Sequence, residues 1–183
     1  MINGMQYISD FISEDEHNQL LLIIDSYPWI SDLKRRTQHY GYKYDYTKKS
    51  IDLSMNLGPL PNWLEPVISK LLEEKIFIQP VDQVIINEYL PGQGISKHID
   101  CVPCFGSTIA SLSLNSTCSM DFEHYQSGKK GNMLLAPRSL LVLANEARYD
   151  WLHSIPARKH DTSQDIVLER TRRVSLTFRT VKL

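Results

Sequence analysis

The second half of the chain is a succession of short β-type segments with no helix-forming stretch between them. These segments comprise residues 81–90, 107–114, 118–124, 132–137, 139–144 and 173–181. Turn signals such as Pro91-Gly92 and Ser127-Gly128 separate them. Short strands at this spacing are typical of an antiparallel sandwich or barrel rather than of a parallel sheet. The pattern therefore predicts a mainly β fold from residue 81 onward.

The first part of the chain differs, because it contains two predicted helices. Ser13 and Glu16 have the spacing of a capping box, and the apolar residues that follow favour a helix over residues 13–26. Pro28 ends that pattern. A second amphipathic pattern predicts a helix over residues 62–75. We expect an α+β domain in which these helices pack on one face of the β structure.

Composition sets limits on the class of protein. The 183 residues are 42% hydrophobic and 22% charged, which fits one globular domain over residues 1–183, with a helical part in residues 1–80 and a β core in residues 81–183. No apolar run is long enough to span a membrane. Three cysteines do not make a disulfide framework and favour a reducing, cytoplasmic compartment. A net charge of -1 excludes a strongly basic packaging protein.

A possible metal site follows the turn at residues 91–94. His98 and Asp100 are two residues apart, so an extended chain presents the imidazole and the carboxylate on the same side. His153 is the best third ligand. Two histidines and one carboxylate leave open coordination positions, as in non-haem Fe(II) oxygenases. The remaining histidines are interpreted as ordinary surface or turn residues: His17, His39, His124 and His160.

The last predicted strand carries two arginines on one face. By alternation that face consists of Arg173, Ser175, Thr177 and Arg179. Arginines directed into a β domain are costly unless they meet anions, and a small dicarboxylic acid would pair with both. Asn87 and Tyr89 are also two residues apart and can donate from one face of the strand before the turn. The two strands together predict a dicarboxylate site beside the metal.

The polar segment between the two helices is rich in tyrosine and lysine. Aromatic rings that stack on bases and cations that meet phosphates are suited to a nucleic-acid lid. The candidate substrate-binding residues are Arg35, Arg36, Tyr40, Tyr42 and Lys43. The alternative is a hairpin whose tyrosines pack on the β domain. The sequence leaves both possibilities open.

The order and spacing of these motifs resemble one known family. The motifs are residues 87–92, the His98 and Asp100 pair, His153, and residues 173–179. Together they resemble the AlkB family of Fe(II)- and 2-oxoglutarate-dependent dioxygenases over about residues 84–181. The resemblance implies a double-stranded β-helix, or jelly roll, with N-terminal helices buttressing one sheet. It also implies Fe(II), 2-oxoglutarate as co-substrate and O2.

The resemblance assigns a role to each matching position. Iron would be bound by His98, Asp100 and His153, and no further catalytic residue is implied. The 2-oxoglutarate site would consist of Asn87, Tyr89, Arg173, Ser175 and Arg179. Arg173 would pair with the distal carboxylate, whereas Arg179 and Asn87 would lie near the carboxylate that chelates the metal. Ser175 stands where the repair enzymes of the family commonly have Asn.

Further motifs resemble one branch of the family, which hydroxylates a carbon of a modified wobble uridine in tRNA. They lie in residues 35–42, 137–141 and 146–153. The resemblance favours RNA over DNA as substrate, a separate tRNA methyltransferase as a partner, and a monomer. Val102 stands where direct-repair members have an acidic residue that meets an exocyclic amine. Oxidative demethylation of N-alkylated bases is therefore the alternative activity.

Two other interpretations compete with this one. Cys101 and Cys104 follow the metal carboxylate, and with His98 they could bind zinc or act as a redox pair. The zinc deaminases that use such residues have a catalytic Glu that is missing here. A β-sandwich binding module with a degenerate site is a more distant, non-enzymatic alternative.

Overall fold

Both predicted N-terminal helices are present in the computed structural model, which describes residues 2–183. Helix α1 spans Glu14–Ser26 and begins at the predicted capping box. The backbone N–H of Glu16 donates to Ser13 Oγ at 3.2 Å, and the backbone N–H of Ser13 donates to Glu16 Oε2 at 2.7 Å. A short 3-10 turn at Asn62–Leu64 leads into helix α2 at Glu65–Glu73. The predictions for residues 13–26 and 62–75 are confirmed.

Every β-type segment of the sequence is a strand in the structure. The strands are β1 (Met5–Ile8), β2 (Arg36–Tyr40), β3 (Gln83–Tyr89), β4 (Ile95–His98), β5 (Phe105–Asn115), β6 (Cys118–His124), β7 (Lys130–Leu135), β8 (Leu140–Leu143), β9 (Trp151–Ile155), β10 (His160–Ser163), β11 (Ile166–Glu169) and β12 (Arg173–Val181). A third helix, α3 (Asn145–Tyr149), was not predicted, because so short a helix shows no periodicity.

The strands form two antiparallel sheets and a hairpin. The larger sheet has the order β1-β8-β5-β12-β3-β2, the smaller sheet has the order β4-β9-β6-β7, and β10 pairs with β11. Two facing sheets joined in this way make the predicted jelly roll, so the predicted fold class is confirmed. No helix among residues 2–183 is long and apolar enough to cross a membrane.

The larger sheet separates two hydrophobic clusters. On its outer face α1 and α2 pack against the sheet, with Ile24 and Leu71 contributing to the same cluster as Leu112 and Leu176. On its inner face a second cluster, which includes Phe105 and Met120, lies between the sheet and its partner. The helices therefore buttress one sheet, as expected. Their packing leaves the inner face of β3 and β12 free to build a site.

The segment before residue 81 does more than support the core. Strand β1 pairs with β8 and strand β2 pairs with β3, so both edge strands of the larger sheet come from this segment. The prediction treated residues 1–80 as helices and a lid, and that description is incomplete. The local pattern of β2 is dominated by polar residues, so only its pairing with β3 identifies it as a strand.

Candidate active site

The structure brings His98, Asp100 and His153 together between the two sheets. Strands β4 and β9 pair antiparallel with His98 opposite His153, and their ring centres are 4.4 Å apart. Asp100 follows β4 by two residues and turns its carboxylate to the same side. Ligand atoms from all three side chains lie within 4.8 Å of one another. The predicted constellation is therefore a spatial cluster.

Hydrogen bonds to other groups orient two of the three candidate ligands, His98 and Asp100. His98 Nδ1 lies 2.8 Å from the backbone oxygen of Ser96, which accepts only, so Nδ1 carries the proton and Nε2 has a free lone pair. Arg179 Nη2 donates to Asp100 Oδ1 at 2.6 Å. The other oxygen, Oδ2, lies 3.7 Å from His153 Nε2. Each candidate ligand thus keeps an atom directed at the common centre.

The protonation states suit a cation. Burial by itself raises the pKa of the Asp100 carboxyl, but the Arg179 guanidinium and the two imidazoles hold the pKa below its usual range. Burial lowers the pKa of His153 to about 4, although Asp100 acts in the opposite direction. At neutral pH the site therefore contains one carboxylate and a neutral His153. The contact between His153 and Asp100 is accordingly not an ion pair in the metal-free protein.

Arg173 lies deeper in the same cavity. Its Nη2 donates to Ser113 Oγ at 2.8 Å, and its guanidinium carbon is 5.5 Å from the centre of the Tyr89 ring. Strand pairing places Ser175 between Ser113 and Asn87. The Nε atoms of Arg173 and Arg179 are buried and have no partner among residues 2–183. Buried guanidinium donors without partners are costly, which fits a site that takes an anion.

Two of the residues that were predicted to bind the co-substrate form hydrogen bonds with other residues of the protein. Arg179 bonds to Asp100 and to Gln83, at 3.2 Å for the latter, rather than standing free beside a chelating carboxylate. Asn87 Oδ1 accepts a hydrogen bond from Arg35 Nε at 2.8 Å. Both side chains still line the cavity. The main hydrogen bond of Arg179, however, is to the carboxylate of Asp100, a candidate metal ligand.

The candidate substrate residues are divided between two sides of the molecule. The loop of residues 41–50, called the lid below, covers the cavity with Tyr44 and Tyr46, and Arg35 lies beneath it. Arg36 points away from the cavity and pairs with Glu88. Arg36 therefore lies outside the cavity, contrary to expectation, because it is the first residue of β2 and faces the outer side of the sheet opposite Glu88, whereas Arg35 before it turns toward the cavity.

The remaining candidates also lie outside the cavity. Tyr40 packs edge-on against Trp63, at 5.4 Å between ring centres, and belongs to the outer hydrophobic cluster. Tyr42 lines a separate groove beside α2, and Lys43 is exposed. The packing alternative is therefore right for Tyr40, and the lid interpretation fits Tyr44 and Tyr46.

Three residues of this region were missed or misjudged in the sequence. Ser113 bonds to Arg173, as described above. Arg148 is buried and donates to the backbone oxygens of Asp100, at 2.9 Å, and of Cys101, at 3.3 Å. His39, expected at the surface, lies under the lid: its Nδ1 accepts from the backbone N–H of Tyr44 at 3.5 Å. Burial lowers the pKa of His39 to about 4. Only alternation along β5 and β2 could have indicated Ser113 and His39.

The zinc interpretation of the cysteines is excluded. Cys101 and Cys104 are joined to each other by a disulfide, and their Cα atoms are 5.2 Å apart. Both sulfurs lie against the backbone oxygen of Lys49 in the lid. Cys118 is buried in β6, as expected. The bridge closes a local turn and leaves both sulfurs outside the His98, Asp100 and His153 cluster.

The residues present fit an Fe(II) ion and a dicarboxylate. Two imidazoles and one carboxylate on one side leave open positions for further ligands. The cavity has a volume of about 570 Å³ and continues from this cluster to Arg173, which has an unsatisfied donor. A small dicarboxylate would accept a hydrogen bond from that donor with one carboxylate and reach the candidate metal ligands with the other.

Comparison with known proteins connects this geometry to established chemistry. The model of the 2OG-Fe(II) oxygenase superfamily matches residues 4–179. The "Alkylated DNA repair protein ALKBH8 homolog" of Arabidopsis thaliana is 37% identical, and the match covers 99% of this chain and 59% of that protein. The mouse "tRNA (carboxymethyluridine(34)-5-O)-methyltransferase ALKBH8" is also 37% identical, over 98% of this chain and 30% of that protein. The chain thus spans less than two thirds of the length of either relative.

More distant matches extend the comparison. A Caenorhabditis elegans "DNA N6-methyl adenine demethylase" is 28% identical over 97% of this chain and 60% of that protein. Among solved structures, OsALKBH1 superposes with a TM-score of 0.75 at 15% identity, covering 97% of this chain and 96% of that one. At that identity the superposition supports the jelly-roll fold alone.

Proposed function

We propose that this chain, which belongs to the 2OG-Fe(II) oxygenase superfamily and within it to the AlkB family, hydroxylates a modified nucleobase in RNA. The target that we favour is the side chain of a wobble uridine in tRNA. The observation that supports this target most is the cavity itself, in which a cluster suited to iron lies under a lid with two tyrosines that meet edge to face, beside Arg35.

The enzyme class follows from family membership. The chain is a 2-oxoglutarate-dependent dioxygenase that uses Fe(II), 2-oxoglutarate and O2, as predicted. The alternative of a non-catalytic binding module is therefore wrong. The metal ion and co-substrate, when bound, supply the oxidation of a substrate C–H bond by O2, and the protein supplies binding, orientation and electrostatics.

The roles of individual residues in this site are our proposal. His98, Asp100 and His153 would hold the iron. Arg173 would pair with the distal carboxylate of 2-oxoglutarate and satisfy its free Nε donor. Ser175, Tyr89 and Asn87 surround that position on β12 and β3. Arg179 would hold the Asp100 carboxylate in one orientation, so that only Oδ2 is directed at the metal.

Other residues would shape and close the site. Arg148 holds the backbone oxygens of Asp100 and Cys101, which keeps the metal-binding turn in one conformation. Tyr44 and Tyr46 meet edge to face, with ring centres 5.0 Å apart, over the opening of the cavity. There they would exclude water and offer a ring face to a base.

The RNA proposal is supported by the relatives and by the lid. The mouse relative is named for a carboxymethyluridine at tRNA position 34, although this chain spans only part of it. Exposed lysines at positions 43 and 48 flank the lid tyrosines and would meet phosphates. We also propose that a tRNA methyltransferase is the partner of this domain, since a hydroxylated or carboxymethylated uridine is a methyl acceptor. We propose further that the domain acts as a monomer.

Oxidative demethylation of N-alkylated bases is the second candidate. It is favoured by the nematode relative, which is named as an adenine demethylase. It is disfavoured by Val102, which has no group to accept from an exocyclic amine. The same oxidation would serve both activities, because a hydroxylated N-methyl group is lost as formaldehyde, whereas a hydroxylated side-chain carbon is retained.

A nucleoside analysis separates the two activities. The protein would be incubated with Fe(II), ascorbate and 2-oxoglutarate against methylated DNA and defined tRNA anticodon stems, and the nucleosides would be measured by mass spectrometry. We expect the gain of one oxygen atom in a modified uridine. Loss of a methylene unit from methyladenine or methylcytosine would contradict the proposal. The Asp100→Ala variant serves as the inactive control.

A further inference from the structure

Arg35 is a third arginine in the cavity, and it enters from the side of the lid. Its Nε donates to Asn87 Oδ1 at 2.8 Å. Its guanidinium carbon lies 5.7 Å from the centre of the Tyr46 ring and 5.9 Å from the centre of the Tyr89 ring. These contacts fix the guanidinium between the lid and β3. The terminal amino groups of Arg35 are therefore presented to the cavity in a defined orientation.

The other two arginines of the cavity are buried, and each forms a hydrogen bond that accounts for its position. Arg179 is bonded to Asp100, and Arg173 is bonded to Ser113 at the deep end. Lys97 also lines the cavity, but its ammonium pairs with Glu123. Arg35 is half-buried, and it makes no ion pair with a carboxylate among residues 2–183. The terminal amino groups of Arg35 therefore have no carboxylate partner among residues 2–183, and its Nε is bonded to Asn87.

The polarity of the cavity selects among bases. Among residues 2–183, Asp100 is the only carboxylate that lines it, and Arg179 already occupies one of its oxygens. Adenine and cytosine present an exocyclic amine, which needs an acceptor. Uracil presents carbonyl oxygens, which need donors. Arg35 and the hydroxyls of Tyr44 and Tyr46 offer donors.

We infer that Arg35 is the residue that selects the target base, by donating hydrogen bonds to the carbonyl oxygen that a uracil-type ring has where cytosine has its exocyclic amine. This inference rests on the proposed function and names the residue that would give it specificity. With Nε bonded to Asn87, the two terminal amino groups of the guanidinium remain in one plane and can both donate to the lone pairs of one carbonyl oxygen, a planar arrangement that an ammonium lacks. A side-chain fork on a base edge discriminates by about tenfold to a hundredfold.

The test measures binding rather than turnover. Tight complexes would be formed with Mn(II) and 2-oxoglutarate in anaerobic solution, which prevents oxidation. The ligands are three tRNA anticodon stem-loops that differ only in the wobble base, which is U, C or A. We expect the wild-type protein to prefer U by about tenfold or more. Arg35→Met should bind all three alike, through loss of affinity for U.

Two further variants sharpen the result. Arg35→Lys keeps the charge but loses the fork, so its preference for U should be intermediate. Arg36→Met is the matched control, because Arg36 is the neighbouring arginine and points to Glu88, which Arg172 also contacts. Its preference for U should equal that of the wild type. Thermal unfolding of each variant checks that the protein is folded.

Two outcomes would overturn the inference. If Arg35→Met weakens binding of all three stem-loops equally, Arg35 contacts the backbone. If it leaves the preference for U intact but raises the KM for 2-oxoglutarate, Arg35 acts only through Asn87. The reaction itself is tested separately: a preference for U that depends on Arg35 upholds the inference even if mass spectrometry finds no oxidised uridine. Absence of any preference in the wild type contradicts it whatever the product.

Discussion

The floor of the cavity and its lid are built in different ways. In the floor, Arg173, Ser175 and Arg179 come from one strand, and their partner Asn87 comes from the strand paired with it. In the lid, Tyr44 and Tyr46 come from a loop outside the sheets, and their rings contact His39, Arg35, Phe105 and one another. A strand in the middle of a sheet holds side chains through ladder bonds on both edges. The lid has isolated backbone hydrogen bonds, such as that from the N–H of Lys43 to the oxygen of Met55, in place of a continuous ladder, so we expect it to adapt more readily to a ligand.

The largest expected effect is in the floor. Asp100→Ala removes the only anionic candidate ligand and leaves Arg179 without its carboxylate. We expect metal affinity to fall by at least about a hundredfold and succinate formation to be lost. Metal affinity is measured by titration with Mn(II). Asp121→Ala, on β6 and outside the cluster, is the control and should behave as the wild type. Coupled turnover by Asp100→Ala would show that the metal lies elsewhere.

The second prediction tests the deep end of the floor. Arg173→Lys keeps the charge but loses the planar fork, so the KM for 2-oxoglutarate should rise at least about tenfold, or about 1.4 kcal/mol. The measurement is the rate of 2-oxoglutarate turnover as its concentration is varied. The control is Arg172→Lys, because Arg172 is adjacent but pairs with Asp25 and Glu88 outside the cavity. An unchanged KM in the Arg173 variant would place the dicarboxylate at another position.

The third prediction compares two tyrosines of the same polar segment. Tyr40→Ala should lower the free energy of unfolding by about 2–4 kcal/mol, since its ring packs against Trp63 and Tyr27. Tyr46→Ala should lower stability less but weaken RNA binding by about 1–3 kcal/mol, through loss of base stacking. Chemical denaturation and a binding titration measure the two effects. The reverse pattern would mean that Tyr40, not Tyr46, meets the substrate.

The fourth prediction concerns the pH dependence of stability and involves one histidine from each region. Burial lowers the pKa of His153, in the floor, and of His39, under the lid, to about 4, against an ordinary value of 6.5. Between these values the unfolded chain binds more protons than the folded one. The stability of the metal-free protein should therefore be complete above pH 6.5 and fall toward pH 4, by at most about 1.4 kcal/mol per pH unit for each histidine. Denaturation at several pH values tests this, and His39→Gln should flatten the slope.

The smallest effect is expected at the rim of the lid. Lys43 and Lys48 are exposed, so replacing both by Ala should change thermal stability little. RNA affinity should weaken, and the slope of log affinity against log salt should flatten by about 0.7 for each lost phosphate contact. Uncoupled turnover of 2-oxoglutarate is the control and should persist, since neither lysine lines the cavity. An unchanged salt slope would exclude this rim from the RNA path.

Much of the floor could be predicted because the direction of its side chains follows from the spacing of residues along a single strand. Residues separated by an even number of positions in an extended chain lie on one side of it. The spacing of His98 and Asp100 therefore made them neighbours, and the spacing of Arg173 and Arg179 put both arginines on one face of β12. His153 was already the best third candidate in the sequence, and the family resemblance implied the same residue. What spacing did not reveal is that Arg179 bonds to Asp100, because the distance between β12 and the end of β4 depends on how the two sheets face each other.

The lid shows the limit of the same reasoning. Tyrosines occupy the alternate positions 40, 42, 44 and 46, which would share one face of a continuous strand, but the chain turns at Gly41, where φ is +77°. Tyr40 therefore lies in β2 with the outer cluster, and Tyr44 and Tyr46 lie over the cavity. The sequence shows the glycine that permits this turn. It does not show the direction in which the chain turns.

The contrast is clearest at Arg35 and Arg36. The sequence by itself determined that two consecutive arginines in an extended chain point to opposite sides, since side chains alternate along a strand. Which of them faces the cavity was decided by the pairing of β2 with β3, which sets Arg36 opposite Glu88 on the outer side and turns Arg35 toward Asn87 within. Alternation is a property of one strand, whereas the choice of side belongs to the sheet that the strand joins.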